Sequence, residues 1–412
     1  MLTLLQLSDI HFKKFDNALD EYTEMRQRMK DCVADYCQTG HIDCLMICGD
    51  VAFSGNAYEY ENKAKPFIAD LLERMGAEVK DVFVIPGNHD KNREAPGKHT
   101  RAFLRDGLLY DVEADFLLDS IKREEPDTLK NLYAPFHDYM EFANEYSCLS
   151  GVAEKMLSDS NVGFSDRMFW NYKLATIGDY TIVLNGINSC LVSDGKVEKG
   201  HIQALPAMLY KTVQERKVVN ICMMHHPMEQ IEKGVAIESQ LDDLYAMQFY
   251  GHIHKQSYKK GDAIKVFSGA LQPDIYEEED KKQYQPVFNI VEIDVQGDTL
   301  SLTVKPYIWD WNTEDVSFKA GKQEAFTLDL TRQREARTIH NHQNRNLPEG
   351  VTIRDVKIRL MSYSHYHNII KEMYEDFEVT GDKGKDCIRF FEQVEREGRI
   401  VELNNKLNQY GR

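Results

Sequence analysis

No apolar run in this 412-residue sequence approaches the roughly 20 residues that a membrane-crossing helix needs, and the mean hydropathy of −0.51 agrees, so no membrane association is expected. The opening MLTLLQLSDIHF lacks a basic leader and a small-residue cleavage site; it reads as a first strand and not as a signal peptide. Cysteine is scarce, with eight residues and no CxxC pair, which argues against a disulfide framework or a zinc finger and points to a reducing, cytoplasmic setting. Low-complexity tracts and internal repeats are missing too, and with 42% hydrophobic residues this excludes disorder as the main state. Positive charge is in deficit: 50 Lys+Arg face 67 Asp+Glu, a net charge of −17. Such a chain repels phosphate backbones at long range, which disfavours tight non-specific nucleic-acid binding unless bound cations reverse the sign locally.

What is present is an alternation of strand and helix signals, in a length that suits two or three domains. Leu4-Leu5-Gln6-Leu7, Asp43 to Cys48 and Val82 to Ile85 are short apolar runs. Between them lie helical periodicities over about 17–37 and 58–75, a βαβαβ order that predicts a mainly parallel sheet. From about 91 to 168 helix formers dominate, and a helical insertion beside the site is expected. Strand-like sequence resumes at Tyr180–Leu184 and recurs at Val218–Met224, Ala246–Tyr250, Ala263–Phe267, and in a hairpin around Gln296-Gly297-Asp298. These strands imply a second sheet, closed as a sandwich with flanking helices. Residues 331–350 are polar and read as a linker, and 351–412 as a small all-α bundle, leaving 1–330 as the main domain.

Five polar clusters follow strand signals: Asp9-Ile10-His11, Gly49-Asp50, Gly87-Asn88-His89-Asp90, His225-His226-Pro227 and Gly251-His252-Ile253-His254. Each alone is a weak signal, since a DxH turn or a strand-end GD is commonplace. Together they are not: strand ends on one side of an α/β sheet converge, and Asp, His and Asn suit Mn²⁺, Fe or Zn²⁺. His340 and His342 in the polar linker, and His365 and His367 near a helix start, have no acidic or thiol partners at ligand spacing and read as solvated or capping residues. Tyr58 and Tyr60, after the GD loop, read mainly as core, with a pocket lining as the alternative.

In order, these clusters resemble the calcineurin-like metallophosphoesterase superfamily over about residues 1–330, and Leu184 to Ser189 followed by Lys199-Gly200-His201 resembles its region before the paired histidines. The resemblance implies an αββα sandwich of two mixed sheets with a two-metal centre between them. Carried over by position, one ion takes Asp9, His11 and His254, the other takes Asn88, His225 and His252, and Asp50 bridges both. A metal-bridging hydroxide is then the nucleophile for attack on phosphorus. His89 is the implied acid toward the leaving oxygen; Asp90 either orients His89 or holds its loop, and His226 is a substrate contact or a packed residue. The GD motif continues Val51-Ala52-Phe53-Ser54-Gly55, without the second Asp or Asn that some members carry there. The two divalent ions are expected to be Mn²⁺ first, with Fe, Zn²⁺ or Ni²⁺ also accepted.

The C-terminal segment carries a second resemblance. Ser364-His365-Tyr366, Gly381 to Lys385 and the closing Arg396-Glu397-Gly398-Arg399-Ile400-Val401-Glu402-Leu403 are similar to effector-associated, death-fold-like adaptor domains of bacterial conflict systems. That implies a protein partner for this bundle; the plain alternative is a helical cap. The expected activity is hydrolysis of a phosphate ester. The acidic surface and the insertion favour a small or single-stranded substrate, with a DNA or RNA nuclease effector as one alternative and a non-catalytic adaptor as another.

Overall fold

In the computed structural model, the structure describes residues 1–14, 21–96, 99, 133–146, 148, 169–191, 217–231, 234–273, 284–311 and 316–331; beyond these it describes 348, 351, 356, 359–360, 363–374, 377, 379–381, 383–396 and 399–410. The chain divides into two compact units, Met1–Asp329 and Leu330–Arg412.

The first unit is built on two mixed sheets. One has the order β12 (Ser317–Ala320), β11 (Thr299–Asp310), β10 (Val287–Gln296), β1, β2, β3, with β13 (Glu324–Asp329) also paired to β11. Its centre is β1 (Leu2–Leu7), β2 (Cys44–Ile47) and β3 (Val82–Val84), parallel and buried at every residue, as strands covered on both faces must be. Helix α1 (Glu21–Cys37) connects β1 to β2. Helix α2 (Lys65–Met75) connects β2 to β3, buries Phe67, Ile68, Leu71, Leu72 and Met75, and ends at Gly76 in the left-handed conformation. The second sheet has the order β4-β5-β6-β7-β9-β8, from β4 (Phe169–Ile177), β5 (Tyr180–Ile187), β6 (Val218–Met224), β7 (Met247–Tyr250), β8 (Ser257–Lys260) and β9 (Ile264–Phe267). Strands β5, β6, β7 and β9 run parallel. The two sheets meet where Phe83 of β3 packs on Trp170 and Tyr172 of β4, and where Asn289 Nδ2 donates to the Ser268 carbonyl.

Three features differ from the sequence-based expectation. The first sheet is not mainly parallel, because the hairpin of β10 (Val287–Gln296) and β11 (Thr299–Asp310) joins it antiparallel along the free edge of β1, with Leu2 opposite Ile293. A pairing across nearly the whole unit leaves no local signal. Strand β4 lies between the expected insertion and the strand expected at Tyr180, in a stretch given no assignment from sequence, and its register shifts between Lys173 and Ala175, which breaks the alternation that marks a strand. Strands β8, β12 (Ser317–Ala320) and β13 (Glu324–Asp329) are short or half-exposed, and were not expected. Of the expected insertion, the structure describes a 3₁₀ turn at Ala134–Phe136 and helix α3 (His137–Glu145); most of 91–168, residues 199–201 and most of the expected linker 331–350 lie outside the described residues. Helix α4 (Gly234–Leu244) precedes β7.

The second unit contains α5 (Tyr366–Met373), α6 (Lys383–Arg396) and α7 (Ile400–Tyr410). Val356, Leu360, Ile369, Ile370, Phe390, Phe391, Val394, Leu403 and Leu407 form its own core. Among the described residues, no helix is long and apolar enough to cross a membrane.

Candidate metal centre

All five polar clusters sit just beyond the C-terminal ends of parallel strands β1, β2, β3, β6 and β7, where an open α/β sheet places its ligands. The turns after β1 and β2 are tied together: Asp9 N–H donates to the Gly49 carbonyl, and the N–H groups of Ile10 and His11 both donate to that of Asp50. Asp9, His11, Asp50, His252 and His254 have φ between +51° and +70°; among the described residues only Lys217 shares this with them outside glycine. A left-handed backbone at a non-glycine residue costs about 1–3 kcal/mol and persists where the surrounding structure over-determines it. Five such residues at one spot mark a site in which side-chain direction outweighs backbone comfort.

The side chains converge. Asp9 Oδ1 lies 3.2 Å from His254 Nε2 and 4.0 Å from His11 Nε2, and the two histidine nitrogens are 3.5 Å apart. Asp50 Oδ2 lies 3.9 Å from His11 Nε2 and 3.3 Å from His225 Nε2. Asn88 Oδ1 lies 3.1 Å from His225 Nε2 and 3.0 Å from His252 Nδ1. The structure therefore brings together Asp9, His11, Asp50, Asn88, His225, His252 and His254. Asp9, His11, Asp50 and His225 are fully buried, and Gly87 gives Asp50 its room, since a Cβ there would lie 2.0 Å from Asp50 Oδ1.

His89 stands at the edge of this group. Its Nδ1 donates to the Phe53 carbonyl at 2.8 Å, its ring packs edge-on to His11, and its own N–H donates to Asp50 Oδ1 at 2.7 Å. Asp90 does not orient it. The Asp90 carboxylate accepts the N–H groups of Val51, Ala52 and Gly87 and the Tyr60 hydroxyl at 2.8–3.2 Å, so it holds two loops together. A catalytic role for Asp90 through His89 has no contact to carry it, and the loop-holding alternative matches these bonds. Tyr60 is buried in that role, while Tyr58 is exposed. His226 is fully buried, with Nδ1 2.9 Å from Ser189 Oγ. Sequence reasoning assigned nothing to Ser189, nor to Lys91, whose buried ammonium donates to the Cys190 and Leu191 carbonyls. His365 and His367 are exposed.

The electrostatics describe a place short of positive charge. Burial would raise both carboxyls, but His254 and His225 bring Asp9 down to about 2, and His225, His11 and His89 hold Asp50 well below the usual range. Burial lowers His11 and His252 to about 4, which leaves both rings neutral with free lone pairs. His225 goes the other way: burial would lower it, but the adjacent Asp50 outweighs that and lifts it to about 9. Asp90 is raised to about 7 by burial and by repulsion from Asp50, against its hydrogen bonds.

A cation fits this donor set. The Cys48 carbonyl can only accept, so the His225 Nδ1 that lies 2.9 Å from it carries the proton. Nε2 faces two oxygen acceptors, Asn88 Oδ1 and Asp50 Oδ2, so this point must hold positive charge: a proton on Nε2 in metal-free protein, or a metal cation on the lone pair of neutral His225. Asp9 Oδ1 and His11 Nδ1 are buried without a hydrogen bond. The donor atoms of Asp9, His11 and His254, of His11, Asp50 and His89, and of Asp9, Asp50 and His225 form three overlapping groups, each within 4.8 Å.

The chain has relatives among known proteins. The sequence model described as calcineurin-like phosphoesterase matches residues 2–256. The metallophosphoesterase-like protein YydB of Bacillus subtilis (strain 168) is 27% identical over 327 residues, which is 75% of this chain and 60% of YydB, so the chain spans about 60% of that curated relative's length. Among solved structures, a dimetal phosphatase from Danio rerio aligns with a TM-score of 0.42 and 11% identity, over 80% of this chain and 99% of that one. Vps29 from Chaetomium thermophilum aligns with a TM-score of 0.33 and 12% identity, over 80% of this chain and 99% of its own.

Proposed function

The chain belongs to the calcineurin-like phosphoesterase family, a family that usually binds two divalent metals; on that premise we propose that it is a metal-dependent hydrolase that holds two divalent ions and cleaves a phosphate ester. Asp9, His11 and His254 would hold one ion, Asn88, His225 and His252 the other, and Asp50 would serve both. The observation that carries this reading is His225, whose proton-bearing Nδ1 turns Nε2 toward the oxygens of Asn88 and Asp50. Bound ions would supply an acidified water as nucleophile and offset charge on the phosphoryl oxygens.

The chain's own groups do the rest. Asp9 and Asp50 are ionised well below neutral pH, and His11 and His252 present neutral nitrogens, so four of the ligands need no proton loss near pH 7. His89, anchored at Nδ1, keeps Nε2 available to give a proton to the leaving oxygen. Asp90 and Tyr60 keep the loops of Asp50 and His89 in register. The mix of carboxylate, amide and imidazole donors accepts Mn²⁺, the first ion to reconstitute, as well as Fe, Zn²⁺ or Ni²⁺.

The net charge of −17 supports a small or single-stranded substrate over duplex DNA. The second unit supports a recruited effector of a bacterial conflict system, docked through its helices on a partner bearing a similar domain. Within its closing motif, Arg399 pairs with both Glu402 oxygens at 2.8 Å and donates to the Met373 carbonyl.

The test is hydrolysis by the chelated, Mn²⁺-reloaded protein of bis-p-nitrophenyl phosphate, p-nitrophenyl phosphate, cyclic nucleotides, and single- and double-stranded DNA and RNA. We expect cleavage of small diesters, reduced at least about 10³-fold in Asp50→Asn. Degradation of nucleic acid with small diesters spared would replace this reading with a nuclease. An ion-loaded protein inert on every substrate would favour a binding module.

A further inference from the structure

His226 is unexplained by the seven-residue set. It is wholly buried, it follows His225 in sequence, and its Nε2 has no hydrogen-bond partner. Its ring stands edge-on to those of His225 and His252, with centroids 5.0 and 4.5 Å away. One donor atom from each of these three histidines lies within 4.8 Å of the others. Donors at about 2.1 Å from a shared ion lie within roughly 4.2 Å of one another, so a closure of tenths of an ångström suffices.

The opposite edge of the ring has the partner that a metal-bound histidine needs. Ligating imidazoles almost always donate their second N–H to an oxygen that fixes ring and tautomer. His225 does so to the Cys48 carbonyl; His226 has Ser189 Oγ at 2.9 Å from Nδ1, and the same oxygen accepts the His226 backbone N–H at 3.0 Å. A hydroxyl has two acceptor sites, enough for both N–H groups, which leaves Nε2 with its lone pair. Lys91 anchors the turn carrying Ser189 through the Cys190 and Leu191 carbonyls.

We propose that His226 is an additional ligand for the ion held by Asn88, His225 and His252, with Ser189 as its positioning residue. This rests on the two-ion reading above. A third imidazole makes that position nitrogen-rich, and nitrogen donors favour Zn²⁺, Fe or Ni²⁺ over Mn²⁺. The two positions should therefore differ in metal preference.

The experiment is calorimetric titration of the full-length, chelated protein with Zn²⁺ and separately with Mn²⁺, with bound metal counted by elemental analysis. Wild type is expected to take two ions, one position preferring Zn²⁺. His226→Phe, which keeps a ring in the space, should weaken Zn²⁺ at that position at least about 10–100-fold and shrink its preference over Mn²⁺, with the other position unchanged. Ser189→Ala should weaken the same position by about 10–100-fold and decides the matter if His226→Phe fails to fold. Wild-type Zn²⁺ affinity at both positions in a folded His226→Phe protein, or in Ser189→Ala where that protein does not fold, overturns the proposal. Wild type that takes fewer than two ions would instead sink the two-ion reading.

Discussion

The backbone N–H of His89 donates to Asp50 Oδ1 at 2.7 Å, while the His89 ring is held separately, through Nδ1, by the Phe53 carbonyl. Main chain and side chain of one residue thus have different tasks. The main chain immobilises one oxygen of the buried carboxylate and leaves Oδ2 facing His11 and His225; the side chain stays free to meet substrate. His89→Ala removes only the second task, because the N–H remains. Its turnover number should fall by about 10²–10⁴-fold, the usual range for losing a general acid. Elemental analysis should find the metal content of wild type. A variant that loses metal as well would place His89 among the ligands.

Gly87 lies against the same carboxylate. A methyl group there would meet Asp50 Oδ1 at 2.0 Å and Asp50 N at 2.3 Å, and backbone cannot retreat as a flexible side chain can. Gly87→Ala should destabilise the protein by about 1–3 kcal/mol, as overpacking does. It should also displace Asp50, so metal content and hydrolysis fall together. The comparison is the urea midpoint and bound metal of Gly87→Ala against those of Gly261→Ala, where nothing lies within 4 Å of the added methyl and φ is not left-handed. Equal metal content in the two variants would mean that Asp50 tolerates displacement.

Much of the site was legible because apolar strand runs such as Leu4 to Leu7 and Cys44 to Cys48 stop abruptly at Asp, His or Asn, and chain order alone places those stops at one end of a sheet. The strain was not legible. Histidine enters the left-handed region more often than most residues, but still too seldom to announce His11, His252 and His254 there; tertiary bonds such as His11 N–H to the Asp50 carbonyl impose it. Nor could composition decide between the two roles of Asp90, since its partners Val51, Ala52 and Tyr60 come from a different loop and the helical segment after it. In the fold, β1, β2 and β3 were readable as buried runs, whereas the attachment of β10 to β1 depends on contacts almost 290 residues apart.

Ion binding should release a proton from His225. Its folded-state value of about 9 lies above the ordinary 6.5, because Asp50 favours the imidazolium despite burial. Stability from this pair is therefore fully present below pH 6.5 and lost as pH rises through about 9. Metal needs the neutral ring, so apparent affinity should rise about tenfold per pH unit below pH 9 for this one proton. Calorimetry at pH 7.5 in two buffers of different ionisation enthalpy would detect the release. In chelated protein the urea midpoint should fall between pH 7.5 and 9.5, and bound ions should reduce that fall. Buried thiols such as Cys48, pushed up to about 12, contribute the same loss with and without ions, so the difference isolates His225. Binding without proton release would leave His225 neutral in the metal-free protein, contrary to this account.

A chain ending at Asp329 should keep hydrolysis and lose partner capture. Strand β13 ends there, in register with Thr299 at the start of β11, so the cut removes no strand of the first unit. Every ligand and positioning residue proposed here, from Asp9 to His254, precedes it. The second unit draws its core from residues between Val356 and Leu407, with each helix burying apolar side chains within that set. A unit that closes its own core does not require its neighbour to fold. The shortened chain should therefore match the full chain in kcat, KM and bound metal. It should fail to retain a partner that full-length protein captures from the cell that encodes it, and the isolated 330–412 segment should capture that partner alone. Loss of activity or cooperative unfolding in the shortened chain would instead make the helices a structural cap on the hydrolase, and the recruitment role would be withdrawn.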